Sequence, residues 1–374
     1  MSEEYVISYP RRVVFGVGAL AQLPAALPAG ARRVLLVAGG HFLRSPEAAK
    51  LTSALAGRLL ATVSDIPAEP PLAAVDKVLE LGRAGKADAV VAVGGGSVID
   101  VAKTAAALIP LPGMTADYFH GRLAVSGPGL FCAAAPTTAG TGAEITRNAV
   151  LVEPETKIKK SIKHDALLPA VALVDPALTL SCPRDQTVHS GLDAFVQAVE
   201  SYLSLQANAV SRSLALGAVG LLFNHLQTAA REPDDLAART KVAEGSLLSA
   251  MSFSQCGLGA VHGLAHPVGA LLGVPHGLAC AILLLPVLKW NLRKKQEDYA
   301  ALAKACGGAT PDDFINAAKD LLRALQIPAG FSGMGLAKEH FPFVIQNSRS
   351  GSMANNPRPM SDQDIEDLLA PLAR

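Results

Sequence analysis

The run GLGAVHGLAHPVGALLGVPHG, residues 257–277, carries three histidines, His262, His266 and His276. No acidic or basic residue occurs from Met251 to Leu288. Imidazoles in so apolar a setting need partners, because a buried polar group without one costs free energy. His262 and His266 are spaced i, i+4 and share a helix face, and His276 follows Pro275, where a further helix can begin. A second stretch, from His189 to Tyr202 (HSGLDAFVQAVESY), has helical spacing and puts Asp193 and Gln197 at i, i+4. A carboxylate among apolar residues needs a cation. One carboxylate with two or three imidazoles suits a divalent-metal site. Hydrogen-bonded core histidines and a capping or ion-paired aspartate are the other reading of the same spacing.

Two further stretches suit a phosphate-bearing ligand. Residues 91–103, VAVGGGSVIDVAK, place GGGS between a strand pattern and a helix pattern. Glycines admit a ligand close to the backbone, and a helix start offers free N–H groups and a positive dipole end. The spacing is not GxGxxG, so this stretch alone reads equally as a tight strand–helix turn. Residues 136–144, PTTAGTGAE, follow another strand pattern and add the hydroxyls of Thr137, Thr138 and Thr141. Two such loops in one α/β domain favour a dinucleotide over structural capping.

The elements that must position these residues change character along the chain. Apolar runs at 33–38, 61–64, 87–93 and 131–135 read as strands. Helical patterns run over 47–60, 72–85 and 98–108, the first with Ser45 as N-cap and Pro46 at its first position. Strands alternating with helices predict a mostly parallel sheet covered on both faces. From about Pro183 the spacing is helical, over 186–206, 208–229, 236–252 and 258–271, and few β-branched runs remain, such as Phe343-Val-Ile345. The reading is an α/β domain over 1–182 and an all-helical domain over 183–374, with the boundary between 178 and 186.

Composition narrows the function classes. The chain has 374 residues, half of them hydrophobic and 17% charged, which excludes a disordered chain. A net charge of +1 without long basic runs speaks against nucleic-acid and membrane-surface partners. Five dispersed cysteines with no CxxC fit reduced thiols in a cytoplasm, and the N-terminal stretch lacks the apolar segment of a signal peptide. The apolar run around His262 is interrupted by Pro267, Pro275 and several glycines, so it reads as a buried helix pair rather than a membrane span.

Taken together, GGGSVIDVAK, PTTAGTGAEIT, VDPALT, GLDAFVQAVESY, HGLAHPVGA, VPHGLACAILLLP and NNPRPMSDQDI resemble the iron-containing (group III) alcohol dehydrogenases from about residue 8 to the C-terminus. The resemblance implies an N-terminal Rossmann-like α/β domain with a parallel sheet and an all-α C-terminal domain, the dehydroquinate synthase-like plan, with the active site in the cleft between them. It assigns Gly95, Gly96, Ser97 and Asp100 to the cofactor phosphates, and Thr137, Thr138 and Thr141 to the cofactor as well. Lys159, or its neighbour Lys160, would reach the ribose. Asp193, His262 and His276 fall on metal-ligand positions, and His266 falls beside the substrate and nicotinamide as the catalytic residue.

There are two departures from the family pattern. The family's usual histidine four residues after the aspartate is Gln197 here, a neutral and weaker donor. The site then holds Fe²⁺ or Zn²⁺ with Gln197 or water completing the set, holds it loosely, or works without metal. Gly39 stands where NAD-preferring members carry a carboxylate, and His41 and Arg44 lie nearby, so NADP(H) is favoured over NAD(H).

The function implied is NAD(P)-dependent interconversion of a primary alcohol and an aldehyde. The alternatives are a metal-independent reductase of an acidic substrate, similar to maleylacetate reductases, and a decayed cofactor-binding paralogue. Dehydroquinate-synthase-like chemistry would need more basic residues in the helical half. A cytoplasmic homodimer is expected, with the segment Tyr5–Phe15 pairing across a two-fold.

Overall fold

Valine- and alanine-rich runs become central strands when both of their faces can be buried, and four of the eight strands among the described residues are of that kind or close to it. The computed structural model describes residues 4–156 and 158–373; residues 1–3, 157 and 374, which include both outer ends of the expected domains, lie outside the described residues. Among the described residues the strands are β1 (Arg12–Phe15), β2 (Val34–Ala38), β3 (Leu59–Val63), β4 (Ala89–Gly94), β5 (Phe131–Pro136), β6 (Asn148–Glu153), β7 (Ile158–Lys163) and β8 (Val171–Val174). Six of them form one sheet in the order β1-β8-β5-β4-β2-β3, and every pairing in it is parallel. β6 and β7 form a separate antiparallel pair.

The pleat sorts the side chains into two cores. Val34, Leu36 and Ala38 join Val91, Val93, Ala133 and Ala135 on one face. Leu35 and Val37 join Val90, Ala92, Cys132 and Ala134 on the other. Helices Leu72–Ala84 and Gly96–Leu108 pack on that second face through Val75, Val78, Leu79, Ile99 and Ala102. A sheet covered on both faces is the condition under which parallel strands read as continuous apolar runs.

Two expectations need correcting. The helix expected over 47–60 is Pro46–Ala54, with Ser45 Oγ accepting the Ala48 N–H at 3.2 Å. Gly57, at φ +81°, turns the chain, and Leu59–Val63 leaves as a strand. Strands β1, β6, β7 and β8 were not legible: β7 is lysine-rich and mostly exposed, and β1 and β8 are four residues each. β1 pairs in parallel with β8 of its own chain, Arg12 opposite Val171, and occupies the outer edge of the sheet.

The unit Tyr9–Cys182 holds the sheet, and among the described residues a second compact unit comprises 183–373 together with 4–8. Its long helices are Arg184–Leu203, Ala209–Arg231, Leu236–Cys256, Ala260–Leu272, His276–Leu292, Gln296–Ala305 and Pro311–Ala324. Asn208, Asp235, Thr310 and Ser361 cap helix starts with side-chain oxygens. Phe343–Ile345 lies inside the helix Phe341–Ser348. The apolar run around His262 forms two helices of 13 and 17 residues, each shorter than the ~20 residues a membrane span needs. Ala209–Arg231, 23 residues long, has the length and apolarity of a span, but it buries Ala215, Val219, Leu222 and Leu226, and its Arg212 pairs with Asp298 at 2.6 Å.

Candidate metal centre and cofactor loops

The helix Arg184–Leu203 carries Asp193 and Glu200 two turns apart, both buried, at 3% and 5% exposure. His262 stands between them. Its Nε2 is 3.1 Å from Asp193 Oδ1 and its Nδ1 is 2.7 Å from Glu200 Oε2. Glu200 Oε1 also accepts the Val261 N–H at 2.6 Å, so the carboxylate caps the start of the helix Ala260–Leu272 that carries His262. A negative charge at that end is favoured by the helix dipole.

His276 is delivered by a backbone contact. The helix His276–Leu292 starts flush against the Asp193 helix: a Cβ at Gly277 would lie 2.0 Å from the His189 carbonyl oxygen, so position 277 admits glycine alone. This leaves His276 Nε2 3.9 Å from Asp193 Oδ1. One turn further, Cys280 Sγ lies 3.7 Å from His276 Nε2. An oxygen of Asp193, a nitrogen each of His262 and His276 and the sulfur of Cys280 all lie within 4.8 Å of one another. The His266 ring stacks on His276 at 4.8 Å and 10°, and lies 6.4 Å from His262.

The electrostatics ask for a positive charge. Burial opposes a charged His262, but Cys280, Asp193 and Glu200 outweigh it and hold this imidazole well above its usual range. Burial pushes the Cys280 thiol up to about 11. Two buried carboxylates whose ion pairs run to imidazoles, with nitrogen and sulfur donors converging beside them, fit a borderline divalent cation such as Zn²⁺ or Fe²⁺.

Of the residues singled out in the sequence, Asp193, His262 and His276 come together and His266 stands beside them. Gln197 is buried one turn after Asp193, and its Oε1 has no hydrogen-bond partner. Cys280 and Glu200 were missed. Their signals are the i, i+4 spacing of His276 and Cys280 and the i, i+7 spacing of Asp193 and Glu200.

In the α/β unit the two polar loops meet. Gly95 sits extended at the start of the helix Gly96–Leu108; the Val98 N–H donates to the Gly95 carbonyl at 3.0 Å, and no side chain caps the turn, so the Gly96 and Ser97 N–H groups are the ones placed to meet a ligand. The Thr137 N–H donates to the Gly94 carbonyl at 3.0 Å. A Cβ at Gly96 would lie 2.5 Å from Thr141 Oγ1, so the threonine loop closes on the glycine turn. A Cβ at Gly95 would lie 3.7 Å from Thr138, and the Gly39 N–H donates to Val93 O at 2.9 Å. Gly39, Gly95, Gly96, Thr137, Thr138 and Thr141 therefore gather at the C-terminal ends of β2, β4 and β5, the edge where open parallel sheets bind ligands.

Asp100 has internal partners instead. It pairs with Lys103 at 3.0 Å and accepts the Val150 N–H at 2.9 Å, while Lys103 Nζ donates to Ala143 O at 2.8 Å. The pair ties the helix to the threonine loop and to β6. Lys159 pairs with Glu69, and Lys160 Nζ lies 4.5 Å from the Phe119 ring centroid.

A ligand edge of this kind on a parallel sheet, with a cation-ready pocket on a helical unit, is the equipment of a nucleotide-dependent, metal-assisted oxidoreductase. Comparison with known proteins narrows the class. Residues 10–176 match the family described as iron-containing alcohol dehydrogenase, and residues 187–372 match the C-terminal part of the Fe-containing alcohol dehydrogenase family. Long-chain-alcohol dehydrogenase 1 of Geobacillus thermodenitrificans is 33% identical over 96% of this chain and 94% of its own. The 1-propanol dehydrogenase of Salmonella typhimurium is 31% identical over 91% and 93%. The crystal structure of sulfoacetaldehyde reductase from Bifidobacterium kashiwanohense in complex with NAD+ superposes with a TM-score of 0.93 at 30% identity, covering 100% of this chain and 99% of that one. The chain belongs to the iron-containing alcohol dehydrogenase family. It is an enzyme, and an oxidoreductase.

The threonine loop also generates a pH prediction. Burial pushes Glu144 from 4.5 up to about 7. A carboxyl whose folded pKa is raised stabilises the fold below its unfolded value, and that contribution is lost as pH rises through the folded value. Glu144→Gln cannot ionise. In urea melts its stability relative to the parent should climb by up to about 3 kcal/mol from about pH 5 to about pH 8. A pH-independent difference between the two proteins contradicts the burial argument.

Proposed function

We propose that this enzyme interconverts a primary alcohol and an aldehyde, with NAD(P)(H) as hydride carrier and a divalent ion at the Asp193–His262–His276 pocket. One observation carries the reading: donors from three separate helices, all buried but the partly buried His276, converge on a single point beside His266. The relatives' names, long-chain-alcohol and 1-propanol dehydrogenase among them, support an alcohol and its aldehyde as the substrate pair.

Bound nicotinamide would supply hydride chemistry at its C4. A divalent ion in the pocket would supply Lewis acidity toward the substrate oxygen. The chain's own residues do the rest. Gly39, Gly95, Gly96, Ser97 and the three threonines hold the dinucleotide. Glu200 fixes the His262 ring by its Nδ1, so that Nε2 faces the ligand cluster. His266 holds the substrate hydroxyl or moves its proton.

Purified enzyme should oxidise NADPH or NADH with short aldehydes and lose that activity to a chelator. Asp193→Asn should lower bound metal and cut kcat/KM by more than about 100-fold, beyond the loss typical of an outer-shell partner. Turnover that survives complete metal removal would instead establish the metal-independent alternative. The missing carboxylate at Gly39, with His41 and Arg44 nearby, supports NADP(H). Gly39→Asp is expected to shift the NADPH-to-NADH ratio of kcat/KM toward NADH by about tenfold or more, roughly the 1.4 kcal/mol of one charge contact; an unchanged ratio removes that support. The outer edge of β1 and the exposed Tyr5, Val6, Ile7 and Phe15 suit a second copy of the chain. Sedimentation should give a dimer, and a monomer at micromolar concentration rules it out.

A further inference from the structure

The pocket has three family ligand positions filled and a glutamine at the fourth, yet a sulfur points into it. We propose that Cys280, as a thiolate, is the fourth metal ligand of this enzyme, giving an Asp193–His262–His276–Cys280 set that selects Zn²⁺ over Fe²⁺. The inference rests on the metal-dependent reading above.

Geometry carries it. His276 and Cys280 are one turn apart on one helix, so both donors face the same way. Zinc bonds of about 2.0–2.1 Å to nitrogen or oxygen and about 2.3 Å to sulfur put tetrahedral donors roughly 3.3–3.6 Å apart. The distances here are 3.1 Å from His262 to Asp193, 3.7 Å from His276 to Cys280 and 3.9 Å from His276 to Asp193. No donor pair in the group exceeds 4.8 Å, so side-chain adjustments of about 1 Å at most close it around an ion. Cys280 is fully buried, with no exposure to make it a surface thiol.

Chemistry points the same way. A glutamine oxygen is a neutral donor, whereas thiolate is an anionic and soft one. Cation binding displaces the thiol proton to solvent, as a coordinating thiol is deprotonated outright. Thiolate and carboxylate then neutralise a divalent charge within an apolar shell. Zn²⁺ stands above Fe²⁺ in intrinsic affinity and takes thiolate readily. A fifth position for substrate remains, since zinc expands to five-coordinate. Gln197 becomes a neighbour of the set rather than a member of it.

Cobalt is the probe, because Co²⁺ takes the place of zinc and reports sulfur directly. The full-length enzyme, stripped and reloaded with Co²⁺, should show a near-ultraviolet thiolate-to-cobalt charge-transfer band beside its visible d–d bands. Cys280→Ser should bind Co²⁺ without the near-ultraviolet band and hold Zn²⁺ at least about tenfold more weakly. Gln197→Ala should keep the band. Visible d–d bands without the charge-transfer band in the parent, or a band that persists in Cys280→Ser, overturns the assignment and leaves the metal-dependent reading standing. Failure of the parent to bind Co²⁺ or Zn²⁺ at one equivalent overturns both. The parent spectrum decides the matter even if Cys280→Ser folds poorly.

Discussion

Everything in the helical unit's pocket follows from placing two carboxylates on either side of one imidazole, away from water. Charges in a low-dielectric interior demand compensation, and breaking such an arrangement by removing one member costs several kcal/mol. Here Asp193 and Glu200 lie on one helix, and His262 joins them from another. Glu200 performs two tasks with its two oxygens: one orients the ring and the other caps the helix that bears it. The imidazole is therefore set by the same contact that starts its helix, so secondary structure and ligand geometry are not independent. The Asp193 side of the ring is what remains for chemistry.

The α/β unit solves a different problem, how to bring backbone rather than side chains to a ligand. The solution is a missing Cβ at the strand ends and a threonine loop packed into the space. The loop is held from behind by a fully buried lysine, Lys103, whose ammonium reaches Asp100, Thr146 and the Ala143 carbonyl. A buried cation with several oxygen partners specifies one loop conformation. Both units thus spend buried charge on position.

Much of this was legible. The Val/Ala strands declared themselves as continuous apolar runs and the helices by period, and Asp193, His262 and His276 stood out by type and spacing. The misses have physical causes. The apolar positions of 47–60 keep a helical rhythm through a glycine, so Leu59 and Leu60 were read as the end of a helix and the strand was expected only from 61. Solvent-exposed β7 has no apolar alternation to read. Glu200 looked like one more polar residue on a helix, since its partner His262 is 62 positions away in sequence. Asp100, which the family resemblance assigns to the cofactor phosphates, has a cation of its own in Lys103, one turn along its helix. Cys280 was counted among scattered thiols, because an i, i+4 relation to a histidine matters only once other donors arrive from elsewhere.

The contact of Gly277 with the His189 carbonyl reaches beyond fold stability. Two of the helices that supply donors are butted main chain to main chain, with no side chain between them as a cushion. The spacing of these two helices is then set by peptide geometry, which is stiff, and the rotamers, which are soft, are left to close the donors on an ion. Any backbone shift in one of these helices is therefore passed directly to the other, and Asp193 and His276 move as a unit.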